Sequence, residues 1–90
     1  MRRVVWSDEA IDNLEAIEAY IDQFNPIAAR RVGARIIAAT ESLAGQSERG
    51  RSVGRGQREL ATIWPYLIRY RIDPEAVFIV RIRHGARRPD

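Results

Sequence analysis

The spacing of apolar and polar residues divides the chain into two regimes. From Asp8 to about Phe24, the apolar residues Ala10, Ile11, Leu14, Ile17, Tyr20, Ile21 and Phe24 recur at intervals of three and four. That period lays an apolar stripe along an α-helix. Asp12, Glu15, Glu18 and Asp22 fall on the opposite side and read as a solvated acidic face. Ser7 suits the cap, and Asp8 and Glu9 suit the positive end of the helix dipole. The capping box is incomplete, because Ala10 stands where it needs an acid or amide. Asn25-Pro26 then punctuates: Asn25 can cap, and Pro26 fits the first turn of a new helix. This second helix is predicted from Pro26 to Ala44, with Ala29, Val32, Ile36, Thr40 and Leu43 as its stripe, Ala28 and Ile37 flanking, and Arg30, Arg31 and Arg35 towards the other side. Two consecutive helices with so short a joint form an antiparallel hairpin.

The period changes to two in the last third, which is rich in β-branched and aromatic residues and reads as sheet. Strands are predicted at Arg58–Ile63, Tyr66–Ile72 and Val77–Arg83. Trp64-Pro65 and Asp73-Pro74-Glu75-Ala76 are the turns between them. In the second of these strands Tyr66, Ile68, Tyr70 and Ile72 face one way, and Leu67, Arg69 and Arg71 the other. In the third, Phe78, Val80 and Ile82 are assigned to the core, and Val77, Ile79, Arg81 and Arg83 to the opposite face. Arg2–Trp6 makes a further short strand. Gly45–Gln57 holds four glycines, three arginines and one large apolar residue, Val53, so it is expected to be a loop, long for this size of chain. The predicted fold is α+β: an N-terminal strand, an antiparallel two-helix hairpin and a three-stranded antiparallel meander, with the helices on one face of the sheet.

Composition narrows the chemistry. At 90 residues the chain is expected to be one domain, residues 1–90, whose core is small enough to gain from a partner. It has no cysteine and one histidine, which argues against disulfides and against a metal centre. No cofactor is expected. No apolar run reaches the length of a membrane span, and the N-terminus lacks the apolar core of a signal peptide, so a cytoplasmic location is expected. The net charge is +3, and all 15 basic residues are arginine. Arginine makes planar, bidentate contacts with carboxylate and phosphate. An acidic partner follows, either nucleic acid or an acidic protein segment.

The candidate site residues are Arg58, Arg69, Arg71, Arg81, Arg83, His84 and Arg87. Arginines on adjacent strands repel one another unless an anion or carboxylate lies among them. Glu59 and Asp73 are candidates for part of that compensation. The plainer alternative is a charged sheet face that discourages aggregation. His84, at a strand end, is the one candidate proton carrier near neutral pH. Trp6 and Trp64 read as core or partner-facing packing. Gly54-Arg55-Gly56 lacks the Lys-Ser/Thr pair and preceding strand of a phosphate loop.

Taken in order, the chain resembles the RelE/ParE toxin superfamily of type II toxin–antitoxin modules. The resemblance rests on Trp6-Ser7 with Ala10 and Leu14, Tyr20-Ile21, Asn25-Pro26 with Ala28-Ala29, and Gly56 with Arg58-Glu59-Leu60. It continues through Tyr66-Leu67-Ile68-Arg69-Tyr70-Arg71 and ends at Ile82-Arg83-His84-Gly85-Ala86-Arg87. It spans essentially the whole chain, and its specificity lies in order and spacing. The ending and the Arg-Glu-Leu strand start look more like the ParE side. The resemblance implies a gyrase inhibitor without catalysis of its own, neutralised by a cognate antitoxin in a toxin–antitoxin hetero-oligomer. The RelE side implies instead a ribosome-dependent endoribonuclease acting on messenger RNA. Arg58, Arg81 and Arg83 would then stabilise charge, with His84 as base or acid. Against this stand the absence of lysine and of a tyrosine after His84.

Overall fold

The computed structural model describes residues 1–85, the side chain of Thr62 excepted. The elements run β1 (Arg3–Trp6), α1 (Asp8–Asp22), α2 (Pro26–Ser42), β2 (Arg51–Gly54), β3 (Gln57–Ile63), β4 (Tyr66–Ile72) and β5 (Ala76–His84). Both helix starts form as their sequences dictate. The Ser7 hydroxyl accepts the Ala10 N–H at 2.9 Å, and Asn25 Oδ1 accepts the Ala28 N–H at 3.0 Å. Each cap satisfies a donor that the first helical turn would leave orphaned. Among the described residues no helix is long and apolar enough to cross a membrane.

The five strands form one sheet in the order β1-β5-β4-β3-β2. β1 pairs parallel to β5, Val4 opposite Val77 and Trp6 opposite Ile79, while the other pairings are antiparallel. The helix hairpin lies on one face. Ile36 of α2, Leu43 at its C-cap and Ala10 of α1 meet Leu60, Ile68, Tyr70, Val77, Ile79 and Ile82 of the sheet in a single core. Full burial of aliphatic side chains of this size stabilises by roughly 1.5–3 kcal/mol each. Among the described residues the other face of the sheet carries no helix.

The fold class agrees with the sequence, and three details differ. First, the expected loop at Gly45–Gln57 contains β2, so four strands follow the helices. Arg55-Gly56 forms a two-residue hairpin turn with positive φ at both positions, 57° and 72°, as a primed turn requires. Second, the β5 faces are reassigned. Val77 and Ile79 are fully buried in the core, opposite Ile72 and Tyr70, whereas Phe78 pairs with Arg71 on the open face. A β-bulge is the cause. Tyr70 pairs with Ile79 but Arg69 pairs with Arg81, so Val80 is the extra residue. The alternation slips there by one, and Ile82 returns to the core. Third, the far end of the stripe expected on the first helix is not covered, and α1 ends at Asp22. Tyr20 and Phe24 are 62% and 73% exposed and pack edge-on against each other at the hairpin tip.

Candidate functional site

The candidate arginines Arg58, Arg69, Arg71, Arg81 and Arg83 fall into four settings. Two of them, Arg69 and Arg83, converge on Glu59. This glutamate sits on β3 opposite Arg69, on the helix-free face, and is only 3% exposed. Arg69 donates to its Oε2 through Nε at 3.2 Å and Nη2 at 3.0 Å. Arg83 donates from Nε to Oε2 at 3.0 Å and from Nη2 to Oε1 at 3.3 Å. Arg51, from β2, adds a longer ion pair at 3.6 Å, and Gln57 accepts from Arg69 Nη1 at 3.3 Å. Burial alone would raise the Glu59 pKa. The hydrogen bonds and charges of Arg83 and Arg69 outweigh it and hold the carboxyl below its ordinary range. Glu59 thus supplies the compensation a cluster of like charges needs. Asp73, the other expected contributor, meets an arginine through its backbone carbonyl, which accepts from Arg2 Nε at 2.8 Å.

Arg71 lies on the same face, stacked over the Phe78 ring at 4.5 Å. A cation–π contact of this kind fixes the guanidinium plane while leaving its N–H edge available. Arg58 belongs elsewhere. It stands opposite the buried Tyr70, on the helix side, and donates to the Gly50 carbonyl at 2.7 Å. Tyr70 closes the same corner: its hydroxyl donates to Ser47 O at 2.7 Å and accepts the Gly50 N–H at 2.8 Å. Burial raises the Tyr70 pKa, against the opposing effect of the Gly50 hydrogen bond and nearby arginines. A Cβ on Gly50 would come within 2.7 Å of the Tyr70 hydroxyl oxygen and 2.8 Å of the Glu59 carbonyl, so this approach requires glycine.

Arg81 and His84 meet in a cleft of about 610 Å³ between α1 and the end of β5, which Arg83 also lines. The cleft exists because β1 stops short. β1 covers β5 only as far as Ile79, and α1 takes over beyond it. Ser7 donates from N to Ile79 O at 3.0 Å and from Oγ to Val80 O at 2.7 Å. Asn13 Oδ1 accepts the Ile82 N–H at 2.9 Å. Arg81 Nε lies 3.8 Å from Glu9 Oε2 across the cleft, and the His84 ring meets the Tyr66 ring edge-on at 5.6 Å. Tyr20 and Ile17 form the apolar wall. His84 pairs with Tyr66 and so alternates onto the opposite face from Arg83. Arg87 lies outside the described residues.

Glu9, Asn13 and Tyr20 were not singled out by sequence reasoning as site residues. Their signal was present: with Ala16 and Ile17 they recur at helical spacing along one side of α1, and Asn13 breaks the otherwise acidic polar face. The 3.8 Å Arg81–Glu9 contact is long for an ion pair and half-exposed, so it orients more than it stabilises.

Comparison with known proteins agrees with the fold. A family model described as ParE toxin of type II toxin-antitoxin system, parDE, matches residues 4–89. The chain is similar to Toxin RelE2 of Caulobacter vibrioides, 48% identical over 87 residues, covering 97% of this chain and 99% of that protein. It is also similar to Toxin RelE1 of the same organism, 35% identical over 85 residues, covering 91% of each chain. Among solved structures, a chain of the chromosomal ParDE TA system from P. aeruginosa superposes with a TM-score of 0.82 at 25% identity, covering 93% of this chain and 96% of that one.

Proposed function

The chain belongs to the ParE toxin family of type II toxin–antitoxin systems, and we propose that it acts by inhibiting DNA gyrase and is neutralised by a cognate antitoxin. The observation that carries this reading is the state of the open sheet face. Its carboxylate, Glu59, is buried under Arg69 and Arg83 and held ionised. General acid–base catalysis needs a group whose pKa lies near the working pH. Glu59 is shifted down and Tyr70 up, away from neutrality, and both have their hydrogen-bonding capacity committed within the fold. Guanidinium groups fixed by an internal carboxylate make a rigid recognition surface, which suits a protein that binds and holds its target.

One observation favours the second reading, a ribosome-dependent endoribonuclease. The α1–β5 cleft brings His84, Arg81, Arg83 and Glu9 together, a set that includes a proton carrier and charge stabilisers for a phosphorane-like transition state. The names of the similar proteins do not divide the readings, since RelE and ParE labels both occur.

For the antitoxin we assign two receiving surfaces. An apolar segment fits the cleft and its extension over Tyr20 and Phe24. Acidic side chains fit the N–H edges of Arg71 and Arg83. Expression without antitoxin tests the target. A DNA-damage response with intact messages supports gyrase; cleaved messages without it support the ribosome.

A further inference from the structure

Charge is sorted across this molecule. Helix α1 carries six of the 12 acidic residues, among them Asp12, Glu15 and Asp22 on its solvated face. It packs over β5, at the β1 side of the sheet. At the opposite edge, the segment from Arg49 to Arg58 contains four arginines and no acid. Arg58 is anchored inward on Gly50. Arg49, Arg51 and Arg55 are exposed, with the Arg51 side chain 76% accessible even with its long contact to Glu59.

The turn itself supplies an independent observation. Arg55 adopts φ 57°, a left-handed conformation that costs any residue with a side chain and that glycine adopts freely. A Cβ on the neighbouring Gly54 or Gly56 would meet nothing within 4 Å, so the tip projects into open space. Packing therefore does not account for an arginine there. Backbone strain kept where nothing packs points to a role for the side chain. The base of the hairpin is rigid: the Tyr70 hydroxyl holds the Gly50 N–H, and Arg58 holds its carbonyl.

We infer that the β2–β3 hairpin is a docking element for the phosphate backbone of duplex DNA, contacted by Arg51 and Arg55 with Arg49 in support. The inference rests on the gyrase reading and deepens it, because the target in that reading is an enzyme that acts on DNA. Arginine meets phosphate oxygens in bidentate pairs, and such contacts position a protein without reading sequence. The hairpin lies at the far edge of the sheet from the α1–β5 cleft, so the cleft remains available to a protein partner while the hairpin holds DNA. Like charges on an edge strand would also guard against aggregation, but that role does not call for an arginine in a left-handed turn.

The test is fluorescence anisotropy of the purified toxin with a labelled DNA duplex of about 20 base pairs, over a range of salt concentrations, with an RNA duplex of the same sequence alongside. Three phosphate contacts give a slope of log affinity against log salt of about −2.7. Removing two of them, in Arg51→Ala with Arg55→Gly, brings the slope to about −0.9 and lowers low-salt affinity at least ~10-fold. Arg55→Gly alone weakens binding while its melting temperature stays equal or rises, which separates lost contact from lost fold. Unchanged affinity and slope in the double variant overturn the inference, as does tighter binding to the RNA duplex. A supercoiling assay in parallel separates the two claims. Gyrase inhibition without hairpin-dependent DNA binding overturns the inference and leaves the gyrase reading standing. Hairpin-dependent DNA binding with supercoiling untouched supports the inference and counts against the gyrase reading.

Discussion

Glu59 and Arg83 meet on the helix-free face of the sheet with Oε2 and Nε 3.0 Å apart, and the carboxylate is 3% exposed. They come from β3 and β5, with Arg69 of β4 on the same oxygen at 3.0 Å, so one carboxylate ties three strands together. Removing it leaves two guanidiniums side by side with no counter-charge. Glu59→Ala is expected to destabilise the fold by about 2–3 kcal/mol, less than for fully buried pairs because both arginines are partly solvated. Urea unfolding checks this; a midpoint equal to wild type would mean that the network contributes no net stability. Glu59→Gln keeps the shape and loses the charge, and should fall between.

The same network makes stability depend on pH with a definite sign. Glu59 has a folded-state pKa below its ordinary value of 4.5. The unfolded chain therefore takes up its proton first as pH falls. The stabilisation is fully present above that ordinary value and is lost as pH drops through the depressed folded pKa. Wild type and Glu59→Gln should differ by a constant amount at neutral pH and converge below the ordinary value. A stability gap that widened on acidification would contradict the assignment.

The Tyr70 hydroxyl has two backbone partners from the segment between α2 and β2, Ser47 O and Gly50 N, and Tyr70 itself is fully buried. Tyr70→Phe strands both partners. The expected cost is about 1–3 kcal/mol, with faster amide exchange at Gly50 and in β2. Gly50→Ala should cost more, because the new methyl group meets backbone as well as the hydroxyl. Amide exchange that stays at the wild-type rate in Tyr70→Phe would show that the corner is held by something else.

Much of this fold is legible in the chain, and the failures have identifiable physical causes. Both helices, their Ser7 and Asn25 caps and the β4 alternation follow from periodicity and local hydrogen bonding. Those signals are carried by neighbouring residues. The β5 faces did not follow, because the bulge at Val80 depends on α1: Ser7 takes both the Ile79 and Val80 carbonyls. A contact across more than 70 residues leaves no mark in the local pattern. β2 was missed because three of its four residues are polar or glycine and exposed. Gly54-Arg55-Gly56 was the available hairpin signal. The arginine set was visible as a cluster, but its division was not. Only the register puts Arg58 behind the sheet, Arg69 and Arg83 on Glu59, and Arg81 towards Glu9.

Ser7 links helix start to strand end. Its hydroxyl accepts from Ala10 N and donates to Val80 O. Ser7→Ala loses a cap and strands a carbonyl beside the cleft, for an expected cost of about 1–2 kcal/mol. Because the bulge sets where Arg81, Arg83 and His84 stand, antitoxin affinity should fall as well, as measured by calorimetry. Ser7→Thr, which keeps the hydroxyl, should restore most of both. Loss of stability with unchanged antitoxin affinity would place the antitoxin away from this cleft.

The target is tested most directly by gyrase supercoiling of relaxed plasmid, with wild-type toxin and His84→Ala side by side and a translating extract run on the same preparations. Gyrase inhibition predicts that both proteins block supercoiling, that neither cuts messages, and that the substitution changes potency only modestly. Supercoiling left intact, with messages cleaved by wild type and cleavage falling roughly 10²–10⁴-fold in His84→Ala, would contradict it.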